Sequence, residues 1–518
     1  MNLPQTPTDY YKFCPGEENV KISNAICRGR RRASYPKCPG CQFNDDSAPL
    51  GAMTGVNSPN ATAALEAVFR TNEICATAPA PLSADAAWRI GHAAGQFLHG
   101  RLRGFERASP GSRSVIVGRD LRPLSQMLQS ALIEGIRSVG LDVIDIGVVD
   151  TPQLYFAVNH FHSCGGIQTT GGVMPIEYNG FKLCGAKGVP IGEETGLAGI
   201  RDIAVRVPRH QTAMAARLRE ADVSTEYATF VRQAIPGERL NRPIRILVDA
   251  GHGPAGRWMP AILGEISALR IEVIHAEGQP PYAHNPDPCD PSCTQEIRRK
   301  VKETDADLGV AFSGDAGACA FFDEKGLPVP PDVVAALLAR VFLERQRGAS
   351  VVLDVRSSMA SSDEIQRAGG VAIRERVGYP HMRKTMGESA AVIGADWSGR
   401  FYFREAEGCE SAIFAVAHVL ALLSASGRRL GEMAQSIAKF RSSGEVVYPC
   451  SRPEQVLSDM AETYAGATIA RIDGITVRHA DWWFNARPID SDKMGVVVEA
   501  KTKKMADQRL AEIAASIS

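Results

Sequence analysis

The stretch SVIVGRDLRPLSQMLQSALIEGIRSVGLDVIDIGVV, Ser114 to Val149, decides the fold class. A short β-branched run ends in Arg119, Asp120 and a turn. A helical pattern follows over 123–140, and then a second β-branched run, LDVIDIGVV. That order predicts a β-α-β unit. The opening recurs twice at domain-sized intervals, as IRILVDAGHG (244–253) and SVVLDVRSS (350–358), and PPDVVAALLARVFLERQR (330–347) supplies another helical pattern. Three related α/β domains are expected, with one large α/β sheet as the alternative. Beyond about residue 440 the texture changes. IARIDGITVRHADWWFNARPIDSDKMGVVVEAKT has strands at short spacing, followed by a terminal helical pattern, which predicts a small α+β domain. Loops at the carboxyl ends of strands from all four domains can share one cleft.

A chain of 518 residues is too long for one core and suits three or four domains. Lys plus Arg and Asp plus Glu are both 58, so no global basic field argues for nucleic acid or a membrane surface. No apolar run reaches the roughly 18 residues of a membrane span, and the first residues lack a basic segment leading into an apolar one. A cytoplasmic protein is expected.

Of the 12 cysteines, Cys14, Cys27, Cys38 and Cys41 crowd the N-terminal head, spaced C-x12-C-x10-C-x2-C. The CPGC knuckle suits two thiolates on one tetrahedral ion, and two upstream sulfurs would close a structural zinc site. Free or redox-active cysteines in a leader are the alternative. Metal binding would supply most of the folding free energy of so small a segment. The adjoining RGRRR, Arg28 to Arg32, reads as a solvated basic turn, with a nucleic-acid or anion contact as the sharper reading. Cys289 and Cys293 lie close, but no second pair completes a metal site with them. The expected division is a head over 1–45, a linker over 46–60, α/β domains over 61–210, 211–325 and 326–438, and a last domain over 439–518.

From about Ala61 to its end the chain resembles the α-D-phosphohexomutases, with VGRDLR, EYNGFK, VDAGHGPAG, HNPDP, DADLGVAFSGD, LDVRSS, ADWSGRFYF and DWWFNARP in order. The resemblance implies three like domains and a fourth of TATA-binding-protein-like topology around a central cleft. It also implies a reaction in which a phosphoserine gives its phosphoryl group to a sugar monophosphate and recovers one from the other end. That chemistry needs a hydroxyl nucleophile, a divalent cation, acid and base groups, and cationic contacts for the distal phosphate.

Set against the family's motifs, the chemical atoms are replaced. Where the phosphoserine loop reads T-A-S-H-N-P, this chain has Thr170, Gly171, Gly172, Val173, Met174 and Pro175, so Gly172 stands at the serine and Val173 at the histidine. Thr169 or Thr170 is a poor substitute. Neighbouring Cα atoms are about 3.8 Å apart, whereas a misplacement of about 1 Å costs roughly 100-fold in rate. The magnesium loop D-G-D-G-D-R appears as Ser313, Gly314, Asp315, Ala316, Gly317 and Ala318, leaving Asp315 as the remnant carboxylate, so catalytic magnesium is not expected. In the sugar-selecting loop Asp396 and Ser398 persist, but Arg400 replaces a histidine and cannot act as a base. Tyr379 stands where the family carries another histidine, and His381 reads as a surface residue. The phosphate loop R-P-S-N-T-E-P becomes Arg487, Pro488, Ile489, Asp490, Ser491, Asp492 and Lys493, and the arginine of the N-terminal element becomes Cys75.

The resemblance therefore assigns residual substrate contacts to Arg119, Lys182, Asp396, Ser398, Arg487 and Ser491, and no intact catalytic set. The expected function is a catalytically inactive phosphohexomutase homologue with a cleft for a phosphorylated hexose and a binding or regulatory role, through a protein partner or an active homologue. The alternatives are an active phosphosugar mutase with altered groups, and a binding protein acting through the cysteine head.

Overall fold

A computed structural model describes residues 11–13, 21–23, 59–101, 111–207 and 216–517. The chain forms two units, Met1–Ala64 and Leu65–Ser518. In the first, Tyr11–Phe13 pairs antiparallel with Lys21–Ser23. The proposed zinc ligands Cys14, Cys27, Cys38 and Cys41, and the RGRRR run, lie outside the described residues.

In the second unit each of the three β-branched runs is a strand inside its own sheet, so the single-sheet alternative does not hold. Ser114–Arg119 lies in a six-stranded sheet between Gly165–Thr169 and Asp142–Val148, parallel to both, while Tyr178–Gly185 and Ile74–Thr77 continue antiparallel beyond Gly165–Thr169. Arg239–Asp249 lies between Ser267–Ile274 and Leu308–Phe312, again parallel to both, with Cys319–Phe322 and Pro328–Val329 antiparallel at the edge. Ser350–Asp354 is parallel to Val371–Glu375 and Ile393–Ala395, and Phe401–Phe403 closes that sheet antiparallel. Three α/β domains with mixed sheets result, followed by a fourth domain of five antiparallel strands with helices Pro453–Thr463 and Lys503–Ala515.

The three α/β domains share a turn as well as a sheet. Each central strand ends in or is followed directly by an aspartate whose Oδ1 accepts the amide two residues on: Asp120 from Arg122 at 3.0 Å, Asp249 from Gly251 at 3.0 Å, and Asp354 from Arg356 at 3.1 Å. An aspartate that bonds its own backbone in this way makes the sharp exit the strand needs. The second carboxylate oxygen is left for other partners, an arginine in the first and third domains and two histidines in the second.

The strands Ser114–Arg119, Leu308–Phe312 and Ser350–Asp354 are buried almost throughout, as their unbroken apolar runs require. Ala412–Ser426, apolar nearly all round, packs across Arg239–Asp249. It starts at Ser411, whose hydroxyl accepts the Phe414 amide, and stops at Gly427 in the left-handed region (φ 64°). His418 on this helix is half-buried, its pKa pushed down to about 3 by burial and then by Arg345. Among the described residues no helix is long and apolar enough to cross a membrane.

Candidate active-site cleft

The strand Gly165–Thr169 delivers the loop 170–177 to the carboxyl end of the first sheet, where ligands bind in such folds. The loop is held by Asp120 and Arg122. Asp120 Oδ2 accepts from the Thr170 hydroxyl at 2.7 Å and the Gly171 amide at 3.3 Å, and Thr170 Oγ1 accepts from the Gly172 amide at 2.9 Å. The Arg122 guanidinium donates to the carbonyls of Gly172 (3.1 Å), Met174 (2.5 Å), Pro175 (2.5 Å) and Tyr178 (2.9 Å). Gly171 makes room for it: a Cβ there would lie 2.5 Å from Arg122 Cζ. Gly172 has φ 54° and open space where a side chain would stand. The place of the family's nucleophile is thus buried but faces open space, and it carries no oxygen. Thr170 is buried with its hydroxyl committed to Asp120, and Thr169 is wholly buried.

Facing this loop, Asp315 is closed off. Its Oδ1 accepts from the Ser313 hydroxyl (2.8 Å) and the Gly317 amide (3.3 Å). Its Oδ2 accepts from the Thr151 hydroxyl (2.7 Å) and from Lys182 Nζ (2.6 Å). Lys182 and Asp315 are 5% and 1% exposed, so this is a buried ion pair. Burial alone would push both pKa values toward the neutral forms. The mutual attraction outweighs it, holding Asp315 well below the usual carboxylate range and Lys182 above the ordinary ammonium range. These residues do not fit magnesium. A single carboxylate with four donors, beside Ala316 and Ala318, offers no hard-oxygen cage, and an ammonium stands where a cation on Oδ2 would be.

Asp150, the N-cap of helix Thr151–His160, sits behind this pair and accepts the Gln153 amide at 2.8 Å. Burial raises its pKa from 3.8 to about 7; the Gln153 bonds lower it in part and Asp315 raises it further. A carboxyl whose folded pKa exceeds its unfolded one contributes stability fully below pH 3.8, and that contribution is lost as pH rises through about 7. Asp150→Asn keeps the cap and removes the titration. Its melting temperature should gain on that of the unmodified chain as pH rises from 4 to 7, with the free-energy difference changing by at most about 1.4 kcal/mol per pH unit. Parallel melting curves across that range check it.

The other sequence-predicted contacts also turn to protein partners. Asp396 Oδ1 accepts from the Ser398 hydroxyl (2.5 Å) and amide (3.0 Å), its Oδ2 from the Tyr402 hydroxyl (2.7 Å), and Arg400 donates to Ser398 Oγ at 2.6 Å. Lys182 and Arg400 both lie over the Tyr379 ring, 5.9 and 5.6 Å from its centroid, and the Tyr379 hydroxyl donates to the Asn72 carbonyl at 2.5 Å. His381 is half-buried and Cys75 buried. Arg119 donates to Gln129 at 3.1 Å.

In the fourth domain Arg487 binds Glu445 through Nε (3.1 Å) and a terminal nitrogen (2.8 Å), and Arg356 reaches the same carboxylate at 3.2 Å. The segment that resembles a phosphate loop is largely zipped into a hairpin. Trp482–Asp490 pairs with Lys493–Ala500, Asp490 facing Lys493 across Ser491 and Asp492. Arg487 is within the strand Trp482–Asp490, and Ser491 is exposed at the tip just beyond its end.

Lys182, Asp315, Gly172, Tyr379 and Arg400 are therefore brought together, while Arg487 pairs with Glu445. Arg122, Thr151, Tyr402 and Glu445 escaped the sequence reading. Arg122 was visible inside VGRDLR, but its grip on a loop some 50 residues away had no local signature.

Family models agree with this architecture. Those for phosphoglucomutase/phosphomannomutase alpha/beta/alpha domains I, II and III match residues 66–207, 225–326 and 330–440. The chain is 30% identical over 434 residues to a phosphomannomutase of Escherichia coli (strain K12), covering 82% of this chain and 92% of that one. It is 30% identical over 435 residues to the phosphohexose mutases of Xanthomonas campestris pv. campestris (strain ATCC 33913), covering 82% and 93%. The crystal structure of a phosphoglucomutase/phosphomannomutase family protein from Burkholderia thailandensis superposes with a TM-score of 0.78 at 26% identity, covering 87% of this chain and 97% of that one.

Proposed function

Since this chain belongs to the phosphoglucomutase/phosphomannomutase family, we propose that it keeps the family's scaffold without the mutase reaction and acts as a binding or regulatory protein. One observation carries the reading: Lys182 Nζ lies 2.6 Å from Asp315 Oδ2 in the magnesium loop, and that loop faces a nucleophile position occupied by glycine. Phosphoryl transfer is positioning plus charge stabilisation, with little covalent work for the protein. This chain lacks the hydroxyl that takes the phosphoryl group, the oxygens that hold the metal, and a histidine at any of positions 173, 379 and 400, where the family carries one. An ammonium tied to a buried carboxylate cannot follow charge onto a migrating phosphoryl group without breaking its own pair.

A phosphorylated hexose remains the ligand class that suits the cleft by descent, and a protein partner or an active homologue is the proposed recipient of its signal. The names of the relatives favour the alternative of an active mutase with altered groups, and the test separates the two. Purified protein receives glucose 1-phosphate or mannose 1-phosphate together with the matching 1,6-bisphosphate. No isomer should interconvert above the protein-free rate. Turnover that Arg487→Ala abolishes would establish the alternative.

A further inference from the structure

The aspartate turn shared by the three α/β domains differs in what meets its second carboxylate oxygen. In the first domain Arg122 lies 3.3 Å from Asp120 Oδ2, and in the third Arg356 pairs with Asp354 Oδ2 at 2.6 Å. In the second, two histidines take the arginine's place. His275 Nδ1 lies 3.1 Å and His284 Nε2 3.0 Å from Asp249 Oδ2, and the two nitrogens are 3.1 Å apart. Asp249 ends the strand Arg239–Asp249, His275 follows the parallel strand Ser267–Ile274, and His284 comes from the next loop.

Proton accounting makes this triangle unusual. His284 Nδ1 is 2.7 Å from the Asn285 carbonyl, which can only accept, so that nitrogen carries hydrogen. His275 Nε2 is 3.2 Å from a Glu296 carboxylate oxygen, which fixes its hydrogen in the same way. With both rings neutral, the inner corner is two lone pairs and a carboxylate oxygen with no hydrogen among them. Such a corner is repulsive unless a cation enters it. A carbonyl or carboxylate behind each imidazole is also the arrangement that orients histidines as metal ligands.

The dimensions suit an ion. Ligand atoms about 2.0–2.1 Å from a metal are about 2.9 Å apart when they subtend a right angle and about 3.3 Å apart at the tetrahedral angle. The observed edges of 3.0–3.1 Å fall between these values. Asp249 Oδ1 is held by the Gly251 amide, leaving Oδ2 as a single-oxygen ligand. The histidine side chains are 13% and 15% exposed, so water can complete the shell. His275 adopts φ 53°, a backbone conformation uncommon outside glycine that aims its ring inward. His252 is a wall rather than a ligand. Its Nδ1 lies 3.0 Å from the Glu277 carbonyl, its Nε2 accepts from the Ala283 amide at 3.0 Å, and its ring stacks on Tyr282 at 4.3 Å.

We propose that Asp249, His275 and His284 bind a divalent transition-metal ion of the zinc class, with solvent in the open position. Two imidazoles and one carboxylate select against magnesium and calcium, which prefer all-oxygen shells. The ion would pin the ends of two parallel strands to the loop carrying His284. The proposal is independent of whether the cleft has mutase activity.

The test uses the full chain with Cys38→Ser and Cys41→Ser, so that thiolates of the head do not report. After removal of bound metal with a chelator, cobalt(II) is titrated and followed by its visible ligand-field bands. About one equivalent should bind without a thiolate charge-transfer band, and zinc should displace it. His275→Gln and His284→Gln should each weaken binding by more than the roughly 10–100-fold expected for loss of an outer partner such as Glu296. If the doubly serine-substituted chain, folded by circular dichroism, takes up no cobalt at micromolar concentration, the proposal fails. Uptake that both glutamine variants leave unchanged overturns it equally. If the glutamine variants do not fold, loss of the cobalt bands as the protein is acidified through the histidine range replaces them. Bands that persist to pH 4 contradict imidazole ligation.

Discussion

Lys182→Met is expected to destabilise the protein by about 3–5 kcal/mol, because removing one member of a buried ion pair strands the other. Asp315 would keep the Thr151 and Ser313 hydroxyls and the Gly317 amide, but lose the cation bonded to it. It would then protonate or draw in water, either of which opens the contact between the first and second α/β domains that Thr151 and Asp315 make. Lys182→Met combined with Asp315→Leu should recover most of the loss, since two apolar groups of similar volume can replace a buried pair at little net cost. Melting temperatures of the two single variants and the double variant measure this. Strong non-additivity is the expected result, and simple addition would mean that the pair is not coupled as described. The pair also has a pH signature. Asp315 has a depressed folded pKa, so its contribution is present above the unfolded carboxylate value and is lost as pH falls below it.

Arg122→Ala should have an effect of similar size by a different route. Four carbonyls and the Asp120 carboxylate share one guanidinium. Each buried acceptor left without a partner costs about 1–3 kcal/mol, less wherever water enters, and a net loss of about 3–5 kcal/mol places the change among the largest single substitutions. Arg122→Lys should rescue little, because an ammonium cannot present a planar fork to acceptors on several sides. The distinguishing readout is local. Amide exchange over residues 170–178 should rise far more than in the rest of the first sheet. Uniform acceleration would show that Arg122 supports the whole domain rather than this loop.

Much of the fold was legible because it repeats. The run ending in Asp120, Asp249 or Asp354 announces the same strand and turn three times, and period and length identify the helices between. The replaced atoms of the family's motifs were legible too, since Gly172, Gly317 and Ala318 lack them whatever their surroundings. The replacements were not. Lys182 and Asp315 are 133 residues apart, and nothing local says that the lysine turns from a ligand to the carboxylate. Asp396 and Ser398 read as a sugar-selecting pair. Only the fold shows that Tyr402 and Arg400 have drawn them into a closed turn. Arg487 read as a phosphate contact, and only the fold shows that Glu445 engages it. In the second domain VDAGHGPAG and HNPDP marked the scaffold. The histidines they contain became visible as a cluster only when His275, in neither motif, arrived beside them.

The central claim is that this scaffold no longer carries a phosphoryl group. The most direct test is the intact mass of the full chain after incubation with glucose 1,6-bisphosphate and magnesium, with and without Gly172→Ser. The unmodified protein should show no added phosphoryl group. Gly172→Ser should also remain unmodified, because the hydroxyl would return without the metal loop and with Lys182 still bound to Asp315. A stoichiometric phosphoryl adduct on the unmodified chain, mapped to any residue of the cleft, would contradict the account.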